Sequence, residues 1–525
     1  MKKLTLLILI LLAELTNAQI TFQKTYGGTG DEWLSDARIT YDSGFVMIGS
    51  TAATGSNSKD IYVVRTGAEG NLLWAKSYGD TSDETGYSIR QTVDGGFIIA
   101  ATINYAATQN RNIYLIKTNT IGDTLWTKAF DNFMYDFYIS ISSIEQTTDK
   151  GFILSGFDTR TSVNVNYSFL MKTDSLGNFS WMKTFYTVGS ASGEGGSCHQ
   201  TTDGGYIHVG AISYNGGEDV YLIKADSAGN KIWGNIYHQP YNGEDSWMVK
   251  QTTDGKYILL GNTSHLNYER MHLIKTDSVG NIFWIKNYGG NSFDAGSCIN
   301  ETNDGGYAML GHSNSFGAGD WDVYLLKIDM NGNPLWSKTF GGLSDDFGGR
   351  VFQTWDGGYI SAGSTTSYGA GGVDFYLIKT DSFGNSGCNQ SNVLTIVTLD
   401  SASIVNTSSL SGNIFNTISP PQLLINNNIN NYSVLCTTGE TEESMNKASF
   451  TIAPNPSTAN FIISFERKIT KGKVEIVNIL GENTFAENIF YESKKEIKLK
   501  NISAGIYFVK VFDGEKSYCK KLIVE

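Results

Sequence analysis

The chain has 525 residues, a formal net charge of −13, 58 glycines, 6 prolines, 12% aromatic and 17% charged residues. The aromatics exclude global disorder, the lack of a three-residue glycine period excludes collagen, and the acidic balance argues against nucleic acid, which needs clustered Lys and Arg. High glycine with low proline points to many tight turns between strands.

Residues 1–18 read as a signal peptide. Lys2 and Lys3 form a basic start, Leu6 to Ala13 is unbroken apolar, and Thr16-Asn17-Ala18 supplies small residues for cleavage before Gln19. That apolar run is far short of the ~20 residues a bilayer span requires. No later stretch qualifies, so the mature chain is expected to be exported and not membrane-spanning. No Cys follows the cleavage site, so no N-terminal lipid anchor is expected. Export permits disulfides. Cys388 and Cys436 bracket a segment with no Cys inside it and are expected to pair. Cys198, Cys298 and Cys519 are expected to stay reduced and buried.

Residues 19–385 are dominated by an internal repeat. The turn Asp-Gly-Gly-Tyr/Phe, or a one-residue variant, recurs at Asp42, Asp94, Asp149, Asp203, Asp254, Asp304 and Asp356. A second column is Tyr-Leu-Ile-Lys-Thr-Asp-x-x-Gly-Asn, clearest at Tyr221 to Asn230 and Tyr376 to Asn385. A third is Trp-x-Lys-x-Tyr/Phe, with Trp74, Trp126, Trp181, Trp233, Trp284 and Trp336. Each unit reads as four strands, with Asp-Gly supplying positive φ for the first hairpin. Four strands per ~50 residues is the period of a propeller blade. The seventh unit lacks a Trp strand, and Phe22-Gln23-Lys24-Thr25-Tyr26 matches that column at the N-terminus. The first strand of the mature chain should therefore complete the last blade. This closes a ring, which an open solenoid would not need. The expected fold is all-β: a seven-bladed β-propeller over 19–385 closed by the N-terminal strand, then a small β-rich connector and a C-terminal Ig-like β-sandwich. The columns resemble a family of secreted, Gly-rich seven-bladed propellers.

Meander geometry places the near-identical hairpin turns at one end of the ring and variable loops at the other. The variable loops carry Tyr105, Tyr167, Tyr214, His265, Tyr268, Trp321 and Tyr368, the candidate ligand-binding residues. Rigid scaffolds tend to present binding residues on loops, although such rings also cover blade edges. An acidic column, Glu32, Glu84, Glu244, Asp294 and Asp346, stands ten residues before the turn Asp, with Asp136 and Glu194 nearby in the units that break register. Its simplest role is to cap each connection by accepting backbone N–H bonds. Calcium coordination is the one cofactor reading left open, and no Asp-x-Asp-x-Asp-Gly loop accompanies it.

No catalytic motif emerges. The six histidines, His199, His208, His238, His265, His272 and His312, form no His-Glu-x-x-His, and neither Gly-x-Ser-x-Gly nor a phosphate-binding loop occurs. His208 and His272 fall in strand patterns, and Cys198 occupies a core column. The chain is expected to be non-enzymatic, with a paired-carboxylate glycosidase as the enzymatic alternative.

Composition shifts after Asn385. Residues 386–436 are rich in Asn, Ser, Thr and Ile with one charged residue, Asp400, and 437–449 read as an acidic linker. Residues 450–525 hold 12 Lys+Arg against 9 Asp+Glu, and setting aside signal, connector, linker and tail leaves −14 on 19–385. In the tail, Ala453-Pro454-Asn455-Pro456, Val474 to Gly481, Ala504-Gly505-Ile506-Tyr507 and Lys520-Lys521-Leu522-Ile523-Val524 fall in order. These residues resemble the motifs of the type A C-terminal sorting domain of the type IX secretion system, with Pro454, Asn455, Pro456, Gly481, Gly505, Tyr507, Lys520 and Lys521 as sorting-motif residues. The resemblance implies the type IX machinery as partner. It also implies delivery across the outer membrane of a Gram-negative cell, with the cargo released or attached to surface lipopolysaccharide. The leading functional expectation is a surface or secreted propeller that binds an extracellular glycan or protein through its variable loops. The alternatives are an extracellular polysaccharide hydrolase or lyase and a structural adhesion or matrix protein.

Overall fold

The computed structural model describes residues 19–524 except 53–57, 105–110, 132–136, 161–164, 186–192, 215–216, 240–242, 266–267, 407–415, 419–423, 428–431, 439–449, 455–456, 458–459, 470–471, 479–482, 500–501, 503–504 and 513–516. The signal peptide and most of the acidic linker thus lie outside the described residues. Every regular element among the described residues is a strand. The chain divides into two units, Met1–Thr438 and Gly439–Glu525.

Each repeat of the first unit is an antiparallel meander. In one, Asp83–Gln91, Phe97–Asn104, Arg111–Thr118 and Thr124–Asp131 pair in chain order. Seven such sheets occur among the described residues. In the sheet that begins at Asp346–Gln353, the fourth strand is Thr21–Tyr26, with Phe22 opposite Lys379 as Trp336 is opposite Lys327. The first strands of the seven sheets touch their neighbours in a closed cycle, the one at Asp346–Gln353 meeting the one at Asp31–Ile39. The result is a propeller-like ring with first strands innermost and fourth strands outermost.

The repeat columns explain how this ring is held. The residue after each turn Asp has positive φ in all seven hairpins, from 64° at Ser43 to 82° at Gly95 and Gly204. The turn carboxylate accepts the Thr hydroxyl two residues earlier and the backbone amide two residues later, as Asp203 does from Thr201 and Gly205 at 2.6 and 2.9 Å. The buried Lys of the third strand closes the same turn from beneath, with Lys224 Nζ 2.9 Å from Asp203.

The Trp column joins sheet to sheet. Trp74, Trp126, Trp181, Trp233 and Trp336 meet the first aromatic of the next sheet's second strand, with centroids 5.4 Å apart for Trp336–Tyr359 and 6.2 Å for Trp126–Phe152. Two residues on, Lys286 donates to the turn carbonyl of Asn331 at 2.6 Å, and the Tyr288 hydroxyl donates to Gly332 at 2.7 Å. The turn glycine is required twice over. At Gly229 φ is +78°, and an added Cβ would lie 2.6 Å from the Trp181 ring.

The segment expected to be a small connector takes a different form. Gln390–Asn392 adds a fifth strand to the sheet ending at Pro334–Phe340, and Ile396–Asp400 to that ending at Ile282–Gly289. Ser403–Asn406, Asn416–Ile418, Leu424–Asn427 and Tyr432–Thr438 add to the strands at Lys231–His238, Thr124–Asp131, Leu72–Gly79 and Thr21–Tyr26. The segment is thus a belt that runs backwards around the ring along the outer edges of six of the seven sheets; no described belt strand pairs with Phe179–Phe185. Cys388 and Cys436 at its two ends form a disulfide. Covering sheet edges in this way hides unpaired backbone groups. Cys198 and Cys298 are buried free thiols; the Cys519 side chain lies outside the described residues.

The second unit packs a three-stranded sheet (Phe450–Ala453, Asn460–Ile469, Glu492–Lys498) and a four-stranded one (Gly472–Asn478, Asn483–Ile489, Gly505–Phe512, Ser517–Val524) around one core containing Phe461, Ile463, Val474, Val509 and Leu522. The alternating runs Phe461 to Phe465 and Lys473 to Val477 supply inward-facing side chains to this sandwich. Of the sorting-motif residues, Pro454 follows a cis peptide bond and Tyr507 is buried in the core. Gly505 opens an inner strand of the four-stranded sheet, and Lys520 and Lys521 sit opposite Val509 and Phe508. Asn455, Pro456 and Gly481 lie outside the described residues.

Candidate ligand-binding face

Most of the candidate loop aromatics are engaged within their own sheets. Tyr214 meets His238 edge-on at 5.4 Å, and Arg270 lies over the Tyr268 ring at 4.7 Å. Tyr368 donates its hydroxyl to Gly341 O at 2.9 Å and packs on Tyr376. Tyr167 is half-buried in the strand Val165–Thr173. Tyr105 and the His265 side chain lie outside the described residues. None of the described ring contacts joins two of these seven candidates.

Trp321 behaves differently. Its ring is 5.0 Å from His312 and 6.4 Å from Phe347; His312 and Phe347 are 5.2 Å apart, and Phe347 continues to Trp33 at 5.9 Å. Four rings from three consecutive sheets therefore share one patch on the variable side. Trp33 is 41% exposed, whereas its partners are half-buried. Burial holds the His312 pKa down to about 4, so the imidazole is neutral and packs as an aromatic ring. Sequence reasoning found Trp321 and missed Trp33, Phe347 and His312. The available signal was a bulky aromatic at the start of a first strand, beside an acidic-column residue: Glu32-Trp33 and Asp346-Phe347.

The acidic column lies beneath this face, and all five carboxylates are at most 2% exposed. Glu32 accepts from the Gly28 amide at 2.9 Å and the Thr51 hydroxyl at 2.8 Å. Asp294 accepts from Gly290 N at 2.6 Å, and Asp346 from Gly342 N at 2.8 Å. Glu84 accepts a longer 3.4 Å bond from Asp80 N, and Glu244 one of 3.5 Å from the Thr263 hydroxyl. Burial, reinforced by Asp80, pushes Glu84 up to about 9; burial with Asp219 pushes Glu244 up to about 8. These acids clamp the connections between sheets. Asp136 and the Glu194 side chain lie outside the described residues. Among the described residues, no group of three or more His, Cys, Asp or Glu converges as a metal set.

The other chemical candidates sit in packing positions. Burial pushes the Cys198 thiol up to about 12, the opposite of an activated nucleophile. His208 is fully buried, accepts or donates at 3.0 Å to the Tyr221 hydroxyl, and is pushed down to about 4 by burial. His272 faces Asn287 at 2.7 Å. His238 pairs with Asp219 at 3.0 Å and His199 with Glu145 at 2.9 Å.

Residues 451–525 match the secretion system C-terminal sorting domain. No curated protein matches the chain in sequence. Among solved structures, the chain is similar to PorZ, a surface component of the type IX secretion system of Porphyromonas gingivalis, with 12% identity and a TM-score of 0.38 over 95% of this chain and 60% of PorZ. The chain thus spans about 60% of PorZ's length. A protein of unknown function from Dyadobacter fermentans aligns at 10% identity and TM-score 0.38 over 69% of this chain and 98% of its own. Sqt1 from Chaetomium thermophilum gives 9% identity and TM-score 0.38 over 65% and 81%. The order of the tail motifs, the sandwich they build and the domain match agree: the chain carries a type IX sorting domain and is a protein exported to the cell surface or the extracellular space.

Proposed function

We propose that this exported protein is a non-enzymatic binding module that takes an extracellular glycan on the variable side of its ring, centred on Trp33. The observation that carries this reading is the four-ring patch from three sheets with one exposed indole. A flat aromatic face held rigidly from below complements the apolar face of a pyranose ring, and little side-chain entropy is lost on binding. The burial of the acidic column supports a non-catalytic role. A glycosidase needs two carboxylates reaching the scissile bond, and the column acids are turned to backbone amides beneath the surface. A protein ligand on the same patch is the second reading, since an exposed Trp over packed rings also suits a hot spot.

The test is a glycan-array and affinity-electrophoresis screen of the mature chain against Trp33→Ala. Retention of a glycan that falls at least tenfold in Trp33→Ala, with the unfolding midpoint unchanged, is expected. Equal retention of that glycan by both proteins refutes the site. Turnover of a bound glycan refutes the non-enzymatic reading.

A further inference from the structure

The innermost strands carry a feature that neither the aromatic face nor the sorting tail uses. Six of the seven have a bulge at the same height. The register slips between Leu34 and Asp36, Gly86 and Ser88, Ile141 and Ser143, Gly195 and Cys198, Gly296 and Cys298, and Gly348 and Arg350. In the seventh the strand is interrupted there, between Gly243–Glu244 and Met248–Gln251. A bulge re-aims the residues beside it. Residues beside these slips line a cavity of about 470 Å³ in the middle of the ring, to which all seven innermost strands contribute. That volume lies within the usual range for a ligand pocket.

The lining is cationic in an acidic ring. Arg38, Arg90, Lys250 and Arg350 face the cavity together with one carboxylate, Glu145. A second carboxylate, Asp36, is fully buried behind them. The three guanidinium groups converge on it, with Arg90 at 2.6 Å, Arg350 at 2.7 Å and Arg38 at 2.9 Å. Asp36 also accepts from the Ser88 hydroxyl at 2.8 Å and from the Ala37 amide at 3.0 Å. Burial alone would raise the Asp36 carboxyl, but Arg38, Arg350 and Arg90 outweigh it and hold it ionised. Glu145 is engaged by His199. Four cations against two carboxylates leave a surplus of two positive charges. A structural role for Asp36 needs one cation, and three around it with Lys250 beside them repel one another. Gathering excess charge in a partly desolvated site is costly without a counter-charge. The Nη2 groups of all three arginines make no hydrogen bond to protein among the described residues, so these donors are left for a ligand.

We propose that the axial cavity binds an oxyanion: a carboxylate, phosphate or sulfate group held by Arg38, Arg90, Arg350 and Lys250, with Asp36 fixing the guanidinium groups in place. This site is separate from the aromatic face, and its occupant is either a free inorganic anion or the charged group of an acidic sugar. The test is isothermal titration calorimetry of the mature full-length chain at low salt with inorganic phosphate, sulfate, galacturonate and, as the neutral control, galactose. Saturable one-to-one binding of at least one anion is expected, with galactose silent. Phosphate or sulfate binding identifies an inorganic oxyanion, and galacturonate binding alone identifies an acidic sugar. Lys250→Met should weaken the anion at least tenfold, and Arg90→Met likewise. Near-ultraviolet circular dichroism reports whether each variant keeps the native ring. No anion binding, or binding equal in the wild type and both folded variants, overturns the proposal. Trp33→Ala should leave anion binding unchanged, so failure here and failure of the glycan face are read separately.

Discussion

Opening the belt is the sharpest test of how this ring is held. The perturbation is Cys388→Ser with Cys436→Ser, which removes the disulfide without leaving a free thiol to exchange. The bridge spans 48 residues. In the chain-entropy account, closing a loop of that length constrains the unfolded chain by about 4 kcal/mol. Besides the bridge, the belt is held by edge pairing and by scattered polar contacts, such as Asn287 Nδ2 donating to Asp400 at 3.0 Å and the Ser337 hydroxyl donating to Val393 O at 2.8 Å. Its strands are short, from Gln390–Asn392 to Tyr432–Thr438. Leu394 and Leu399 are 86% and 78% exposed. Among the described residues, Val393, Val397, Ala402, Val405 and Leu435 pack against the cores beneath. Backbone pairing of such short edge strands is marginal by itself, so the covalent closure should dominate. Urea unfolding of the mature chain should show a loss of about 4 kcal/mol in the double variant. Limited proteolysis should cut first within 389–435, while the wild type resists there under non-reducing conditions. A loss below about 1 kcal/mol, or first cleavage inside a repeat, would refute the claim that the disulfide holds the belt to the ring.

Three further outcomes follow from the same structure. In the turn pairs, burial works against the Asp304 carboxylate, but the Thr302 hydroxyl and Lys327 outweigh it and bring it down to about 2. Its folded pKa lies below the unfolded value near 4, so the stability it contributes is present above pH 4 and lost as pH falls toward 2. Because Asp304 is 56% exposed, screening reduces this to about 1 kcal/mol. Lys327→Met should cost up to that much at pH 7, and the cost should shrink as pH falls through 2, measured by urea midpoints across pH. Glu84 has the opposite sign, since its folded pKa of about 9 exceeds the unfolded 4.5. Its contribution is complete below pH 4.5 and lost as pH rises to 9, so Glu84→Gln should be stabilising by about 1 kcal/mol or more at pH 8 relative to its effect at pH 4; equal effects at both pH values would contradict the buried neutral acid. Deleting residues 450–525 should retain the ring in the periplasm, scored by fractionation and immunoblotting; surface display of the truncated chain would show that the tail is not the address.

Much of this molecule was legible because its interactions repeat. A Trp two residues before Lys, a Lys facing a turn Asp and a Gly under the Trp ring each satisfy one local contact. Seven copies of a local contact leave a periodic trace in the chain. Ring closure was legible for the same reason: Phe22 fills the Trp column and pairs opposite Lys379. The two bracketing cysteines and the ordered tail motifs likewise state their partners within the chain. What the tertiary structure decided is where unlike residues from distant repeats converge. Asp36 meets Arg350 across 314 positions, and in the sequence Arg38, Arg90, Glu145, His199, Lys250, Asn300 and Phe352 are only the variable position of a first-strand motif. Radial geometry brings five of these, Arg38, Arg90, Glu145, Lys250 and Phe352, into the wall of one cavity. The belt was illegible because its strands pair through backbone groups, which leave no side-chain pattern, and because it runs against the order of the repeats. Trp33 joins the aromatic patch only when closure brings Phe347 beside it. Local chemistry therefore determined the sheet and the number of times it recurs, while the axial charge cluster, the aromatic patch and the belt exist only once the ring has closed, since each depends on neighbours that chain distance conceals.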